Sequence, residues 1–440
     1  MIGLSVPGFF LNELIPGLAS IEDKSTFASL KVDDYRYLWI GMLTSAFALN
    51  MQLVAQGWLV YEMTSSAMNL TWVTLAFMVP QVVFSLIGGV LADRFPKKPV
   101  IGFAPILNGI ATLVMALIIM FGDVNFWDFI WVGVINGTVL ALSIPARTAF
   151  IPEIVGDQLM FNAMAFNTAS WNLSRILGPA LAGFMIAIFA DGDTSSTYGV
   201  GLVYFVLSGL YLVSAVTVLL IKHSGKPSHQ AIGSPSQELK EGFTYVIGSP
   251  VVGGLILLSI LPFLFGLTIN TLLPAFSTDI LKGGPDDLGL LMTGMGLGAI
   301  LGSLALAKMG NVSRKGYWLL GTSVIWGILV SGFGLTTNFT LATLIIGLIG
   351  FISAVNMSMN RSLVQLQVEQ RMRGRIMSID MMSHGLMPLG VLPIGYIAET
   401  VSIPAGLVVS GLILCISTIA LGAVMPKVRA INVGYQGETI

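Results

Sequence analysis

Residues 86 to 98 read LIGGVLADRFPKK, and at this point about twenty mostly apolar residues end in a cluster of charge. Asp93, Arg94, Lys97 and Lys98 lie within six positions, in a chain of 440 residues of which only 10% are charged and 55% are hydrophobic. An ordinary soluble domain has roughly 25% charged residues. A charge cluster in so apolar a chain indicates the end of a membrane-spanning segment.

Twelve apolar segments are long enough to cross a hydrocarbon core of about 30 Å as helices. Charges or clusters of Gly, Pro and Asn bound each of them, and a helix satisfies its own backbone hydrogen bonds in lipid. The sequence therefore predicts an all-α integral membrane protein with twelve transmembrane helices. The predicted spans are 37 to 61, 70 to 92, 99 to 121, 126 to 145, 163 to 190, 199 to 221, 251 to 278, 287 to 307, 316 to 335, 339 to 359, 374 to 398 and 403 to 425.

The chain also divides into two pseudo-repeats of six helices. Arg147 follows the fourth span and Arg361 the tenth, 214 positions later, and Gly178 and Gly390 are 212 positions apart in the fifth and eleventh spans. The longest polar stretch separates the two halves and is typical of a flexible linker. The predicted organisation is an N-terminal segment 1–36, a bundle 37–221, a linker 222–250, a bundle 251–426 and a tail 427–440.

Basic residues indicate the orientation of the helices. With the N-terminus in the cytoplasm, that side of the membrane holds 19 of the 21 basic residues, all but Arg175 and Lys282. Cytoplasmic loops are enriched in Lys and Arg. We therefore expect a multi-pass protein of the cytoplasmic (inner) membrane with both termini in the cytoplasm. The first twenty residues carry no basic region, so we expect no cleavable signal peptide.

Several classes of function are not expected. The single cysteine, Cys415, allows neither a disulfide framework nor a Cys/His zinc site. The chain has no nucleotide-binding G-x-x-x-x-G-K-[ST] pattern, no cluster of metal-ligating residues and no nucleophile motif. The net charge of -1 gives no basic excess for a nucleic acid. We expect neither an enzyme nor a protein with a metal or cofactor.

The opening stretch resembles the signature of the major facilitator superfamily. GGVLADRFPKK follows the pattern G-x-L-a-D-r-x-G-r-[KR] between helices 2 and 3, with Pro96 where a glycine is usual. The segments SIPARTAFIPEIVG, FNAMAFNTASWNLSRILGPALAG and RGRIMSIDMMSHGLMPLGVLPIGYIAE resemble the transmembrane secretion effector branch, which includes enterobactin exporters and macrolide efflux proteins. The resemblance implies two six-helix halves with a substrate site between them near the midplane.

The resemblance also implies a conformational latch. Asp93, at the end of helix 2, is expected to bind the start of helix 11 at residues 373 to 378 when the cytoplasmic side is closed, since an acid is favourable at a helix N-terminus. The alternative is that Asp93 is an ordinary loop acid and that its basic neighbours only set the orientation. The candidate latch residues are Asp93, Arg94, Lys97, Lys98, Arg147, Arg361 and Arg373.

Uncharged polar residues within the spans are candidates for the substrate cavity. The resemblance places helices 1, 4, 7 and 10 around that cavity. The alternative for each residue is a hydrogen bond between helices, typically below about 1 kcal/mol. These four helices show no acid at mid-depth, which argues against a strongly cationic substrate. The candidates are Asn50, Gln52 and Gln56 in helix 1, Asn136 in helix 4, Asn270 in helix 7, and Asn356 and Asn360 in helix 10.

Arg175, Asp380 and His384 are candidates for proton coupling. Asp380 and His384 are four residues apart on one helical face, and an acid beside an imidazole could exchange a proton between pH 5 and 8. The alternatives are structural pairing or snorkelling for Arg175, and capping and backbone bonding for Asp380 and His384. The arginine that many family members carry inside helix 4 is absent, because Gly133 stands there.

The fifth helix carries GPALAG, which resembles the signature Gly-Pro-x-x-Gly-Gly of proton-coupled exporters through Gly178, Pro179 and Gly183. The leading hypothesis is a secondary active exporter of a small amphiphilic molecule such as a drug, a macrolide or a siderophore. It is expected to couple to protons, to work by alternating access and to be a monomer in the lipid bilayer. The alternatives are a nutrient importer of the same fold and a non-transporting membrane sensor or scaffold.

Overall fold

The structure is a computed structural model, and it describes residues 27–189, 197–225, 235–309, 313–369 and 372–432. These residues form helices and connecting turns, and none of them lies in a β-strand. The predicted all-α membrane fold is confirmed.

The described part of the N-terminal half contains six long helices. They are α1 (Asp33–Thr64), α2 (Ala67–Arg94), α3 (Lys97–Phe121), α4 (Phe126–Gly156), α5 (Gln158–Phe189) and α6 (Thr197–Leu220). Of the linker, the described part includes an amphipathic helix, Pro235–Gly248, which we call the linker helix.

The C-terminal half contains six further helical spans, two of which are interrupted. They are α7 (Pro250–Asp279, with one π-helical turn at Pro262–Gly266), α8 (Pro285–Met309), α9 (Lys315–Gly334), α10 (Phe339–Gln367), α11 (Arg373–Ser383 and Met387–Thr400) and α12 (Ile403–Val424). Eleven of the described helices are long and apolar enough to cross a membrane alone. α11 is not among them because a 3₁₀ turn at His384–Leu386 divides it, just before Pro388, which has no backbone N–H to donate.

The predicted loop between helices 4 and 5 is largely helical. α4 continues to Gly156, whose φ of 69° makes the sharp turn into α5; glycine adopts this left-handed conformation without a steric penalty. Ala146, Phe150, Ile151 and Val155 are buried on one face of the extension, in a core shared with α1, α3 and α6. Burial of this apolar face explains why the helix continues beyond the span that hydropathy predicts.

The two ends of the bundle differ in charge. We call the end that carries Arg94, Lys97, Lys222 and Lys315 the basic face, and the end at Asp279 and Glu399 the opposite face. Within each half, neighbouring helices pack closely, as α2 does with α4, α3 with α6, α8 with α10 and α9 with α12. The halves meet mainly through α5 with α8 and α2 with α11.

Candidate functional site

A central cavity of about 340 Å³ lies between the two halves. α1, α2, α4 and α5 line it from the N-terminal half, and α7, α8 and α11 from the C-terminal half. Its volume falls within the range of about 300 to 1,000 Å³ of small-molecule sites. The cavity therefore has the size and the position of a substrate site between two pseudo-repeats.

Three amide side chains form a hydrogen-bonded chain on the N-terminal wall of this cavity. Asn136 donates to Gln52 Oε1 at 3.1 Å, and Gln52 donates to Gln56 Oε1 at 3.2 Å. Gln52 and Asn136 are only 4% and 2% exposed, and the Oδ1 atom of Asn136 is buried without a partner. An unsatisfied buried acceptor is costly, and Asn136 lies in the wall of the cavity.

Two further predicted residues, Asn50 and Asn270, also line the cavity. Asn50 donates to the carbonyl oxygen of Ala46 and to Ser174 Oγ, which connects α1 to α5. Asn270 lies on α7, across from the amide chain, and its Oδ1 atom is buried without a partner. The structure thus brings five of the seven predicted cavity residues together.

The structure places Asn356 and Asn360 elsewhere, inside the C-terminal bundle. Asn356 donates to the Leu319 carbonyl oxygen, Thr322 and Ser323 on α9, and Asn360 donates to the carbonyl oxygen of Leu255 on α7. Neither residue is among those that line the central cavity. Their prediction as cavity residues is corrected here. The rotation of α10 about its axis directs both side chains toward neighbouring helices, where they form hydrogen bonds between helices.

Most of the remaining lining is apolar and was not predicted from the sequence. Phe263, Met292, Met295 and Met387 contribute flexible or aromatic surface from α7, α8 and α11. Methionine side chains adapt to ligands of irregular shape. α8 is apolar on every side, so no periodic pattern distinguishes its cavity face from its lipid face.

The cavity is closed at the opposite face. Among the described residues, four hydrogen bonds cross between the halves: Tyr61 Oη to Asp279 Oδ2 at 2.5 Å, the Met68 amide to Glu399 Oε2 at 3.2 Å, Thr74 to Thr271 at 3.5 Å, and Thr293 to the Ile176 carbonyl oxygen at 3.1 Å. Here α1 meets α7, α2 meets α11, and α5 meets α8.

Glycines allow the halves to approach closely at this closed end. A Cβ atom built on Gly183 would lie 2.4 Å from the carbonyl oxygen of Pro285, and one on Gly289 would lie 2.7 Å from that of Pro179. Gly183 and Pro179 belong to the GPALAG segment, and Gly178 of the same segment packs on Asn50 within the N-terminal half. This segment therefore forms the contact surface of α5.

Comparison with known proteins assigns the family. The family model described as "Transmembrane secretion effector" matches residues 24–434. The chain belongs to this branch of the major facilitator superfamily. The resemblance predicted from the sequence is confirmed, and the protein is a multi-pass membrane transporter, not an enzyme.

Relatives agree with this family, and solved structures share the fold. The chain is 27% identical over 291 residues, 66% of its own length and 67% of theirs, to enterobactin exporters EntS from Shigella boydii serotype 18 and Escherichia coli O1:K1. The fold is similar to the crystal structure of nucleoside transporter NupG, with a TM-score of 0.70, 13% identity and coverage of 91% and 100%. A D-xylose-proton symporter aligns with a TM-score of 0.66, 14% identity and coverage of 93% and 100%.

The structure does not bring Arg175 and Asp380, two of the predicted coupling residues of the transporter, into one site. Arg175 lines the central cavity, whereas Asp380 is fully buried in the first piece of α11 and is not part of the lining. The α-helix ends at Ser383 and His384 begins the 3₁₀ turn, and the predicted relay between Asp380 and His384 stays a prediction. The side chain of His384 lies outside the described part.

Among the predicted latch residues, the described contacts are made within one half. Arg94 and Arg361 are exposed, and Arg373 donates to the carbonyl oxygen of Val368. The neighbouring Arg375 forms an ion pair with Glu241 of the linker helix. The side chain of Asp93 lies outside the described part, so its contact with α11 stays a prediction.

Lys97 and Lys98 are structural residues at the start of α3. Lys97 is 1% exposed, and its Nζ lies 2.6 Å from Glu153 Oε1 on α4; its backbone N–H donates to the Gly225 carbonyl oxygen. Lys98 Nζ donates to the carbonyl oxygens of Leu219 and Ile221 at the end of α6. Both are candidate latch residues, and in this structure they anchor the start of the linker to the N-terminal bundle; their part in a latch stays a prediction.

Glu153→Gln tests this anchor. Breaking a buried ion pair leaves an uncompensated charge and costs about 3 to 5 kcal/mol; since Glu153 is 30% exposed, we expect roughly 1 to 3 kcal/mol. The measurement is thermal unfolding of the purified transporter in detergent. Asp33→Asn is the matched control, because it removes the exposed pair with Arg36. Equal melting of Glu153→Gln and the parent would contradict the anchor.

Arg147 was predicted to lie in the loop after helix 4, and this position is corrected. It lies within the extended α4 and lines a second cavity of about 160 Å³ inside the N-terminal half. Its Nε atom is buried without a hydrogen-bond partner. Because α4 extends beyond the predicted span, the Arg147 side chain lies inside the bundle and not in a surface loop.

Proposed function

We propose that this transporter exports a small amphiphilic molecule across the cytoplasmic membrane by alternating access. The central cavity carries this proposal: its wall is mainly apolar, with the amide chain of Gln52, Gln56 and Asn136 on one side. Such a lining favours a molecule with a large apolar body and a few hydrogen-bonding groups. The enterobactin exporters among its relatives support the direction.

Alternating access is supported by the contacts between the halves at the closed end, and the orientation is supported by the excess of Lys and Arg on the basic face. With the basic face in the cytoplasm, the contacts at Tyr61 and Gly183 seal the external side. We infer that this conformation is the inward-facing state of the cycle, which takes substrate from the cytoplasm. Export requires the opposite closure, which brings the basic-face ends of the two halves together around the loaded cavity.

The first experiment measures accumulation of enterobactin, a macrolide and neutral, anionic and cationic dyes in efflux-deficient cells that express the transporter, with and without a protonophore. Lower accumulation that the protonophore abolishes would establish export driven by the proton gradient. Higher accumulation would reverse the direction to import. No change for any compound, with the protein confirmed in the membrane, would contradict a role in exporting this class of molecule.

Gln56→Leu tests the cavity wall. Gln56 ends the amide chain, and loss of one neutral hydrogen bond to a substrate costs about 0.5 to 1.5 kcal/mol, so we expect KM to rise roughly 2- to 12-fold with unchanged expression. The measurement is concentration-dependent transport in vesicles. Gln365→Leu makes the same change on an exposed position of α10 outside the cavity and is expected to leave KM unchanged. A rise of KM in both variants, or in neither, would remove Gln56 from the site.

A further inference from the structure

The charge of the two cavities points to one class of substrate. Arg175 is the charged residue among those that line the central cavity, and Arg147 is the charged residue among those that line the second cavity. No Asp, Glu, Lys or His of the described residues is part of either lining. Both cavities therefore combine apolar and amide surface with a fixed positive charge.

None of the described acidic side chains neutralises the Arg147 guanidinium. Within the described ranges it forms no ion pair and no hydrogen bond, and its Nε atom is buried. A buried charge without a partner costs several kcal/mol, and an ionisable residue within a membrane span commonly marks a substrate or ion pathway. Asn167, Trp171 and Tyr211 line the cavity around it, which adds polar and aromatic surface for a ligand.

Arg175 is an exposed residue that lines the central cavity. None of the described acidic side chains pairs with Arg175. Its helix α5 packs closely against α8 at this position, because a Cβ atom built on Gly296 would lie 3.5 Å from the Arg175 carbonyl oxygen. The backbone is thus tightly held at this position. The side chain is available to a ligand in the cavity.

The two cavities adjoin one another. Leu49, Phe77 and Asn136 line both of them. On α4, Arg147 lies eleven residues beyond Asn136, in the direction of the basic face, which corresponds to about 16 Å along a helix. The second cavity therefore extends from the shared wall toward the proposed cytoplasmic entrance.

We propose that the exported molecule is an amphiphilic organic anion and that Arg147 and Arg175 are its two successive anion contacts, one nearer the cytoplasm and one in the central cavity. A planar guanidinium matches a carboxylate or another planar oxyanion with two parallel hydrogen bonds. The apolar walls accept the body of the molecule. This inference rests on the proposed export function and specifies its substrate class.

The test uses purified full-length transporter in liposomes and three fluorescent probes of similar shape. They are a coumarin 3-carboxylate, its neutral carboxamide and a coumarin with a trimethylammonium group. We expect transport of the carboxylate at least tenfold faster than of the other two. Arg147→Gln and Arg175→Gln are each expected to lower carboxylate transport at least tenfold, to change transport of the carboxamide less than twofold, and to be partly rescued by Lys at the same position.

Arg314→Gln is the matched control, because Arg314 is exposed and lies outside both cavities. Faster transport of the carboxamide or the ammonium probe, or equal loss of all probes in the arginine variants, would overturn the anion proposal while leaving export intact. If the carboxylate is not transported but enterobactin or a neutral dye is exported from cells, only the anion proposal fails. Absence of transport in both assays would instead contradict the export function itself.

Discussion

Gly183→Val is expected to drive the transporter out of the observed conformation and to stop transport. The nearest atoms to a Cβ at this position belong to the other half: the Pro285 carbonyl oxygen at 2.4 Å and Gly289 Cα at 3.1 Å. A valine there prevents the closed end from forming but leaves each six-helix half intact. Overpacking of this kind costs about 1 to 3 kcal/mol, which shifts the population ratio roughly 5- to 150-fold.

The measurement is the distance between spin labels on the opposite face, at Asp123→Cys in the N-terminal half and Lys282→Cys in the C-terminal half, with Cys415 replaced by alanine. We expect the long-distance population to dominate in Gly183→Val and the short one in the parent. Gly209→Val is the control, because no atom lies within 4 Å of a Cβ built on Gly209. A Gly183→Val protein that keeps the short distance and transports normally would show that this contact does not control closure.

Gly298→Val is expected to damage the fold of the C-terminal half. A Cβ atom on Gly298 of α8 would lie 1.9 Å from the carbonyl oxygen and 2.8 Å from the carbonyl carbon of Gly347 on α10. Both helices belong to the same half, so no rigid-body movement of the halves relieves the clash. We expect a loss of at least about 3 kcal/mol, which lowers the melting temperature by roughly 3 to 7 °C or prevents purification of a monodisperse protein.

The control is Gly321→Val on α9, where a Cβ atom meets nothing within 4 Å. The two substitutions change helix propensity equally, so a difference in thermal unfolding reports the contact between α8 and α10. Melting of Gly298→Val at the parent temperature would contradict this account. The contrast with Gly183→Val is informative, because the same change is expected to alter conformation at one glycine and folding at the other.

The loop signature and the apolar spans predicted the class of protein correctly. Each span appears in the sequence as a long apolar stretch, because about twenty apolar residues are needed to cross the hydrocarbon core. The charges at 93–98 indicated the end of a span, and α2 indeed ends at Arg94 and α3 begins at Lys97. The family that the signature predicted is confirmed.

Prediction was less successful where a polar side chain had to be placed around a helix axis. Asn136 and Asn356 each lie in the fourth apolar span of their half. Asn136 lines the central cavity, whereas Asn356 donates a hydrogen bond to α9. A membrane helix is apolar on both its lipid face and its packed face. Its sequence therefore lacks the polar stripe that shows the rotation of a helix on a soluble protein.

The sequence by itself determined the membrane class, the twelve spans, the two-half organisation and the family, because these depend on segment length, charge distribution and a local motif. Only the tertiary structure decided that Arg147 lies inside the bundle, that Lys97 is a buried anchor and that the cavity is closed at the opposite face. These features depend on contacts between residues far apart in the chain. Their energies come from burial and close packing, which no local pattern encodes.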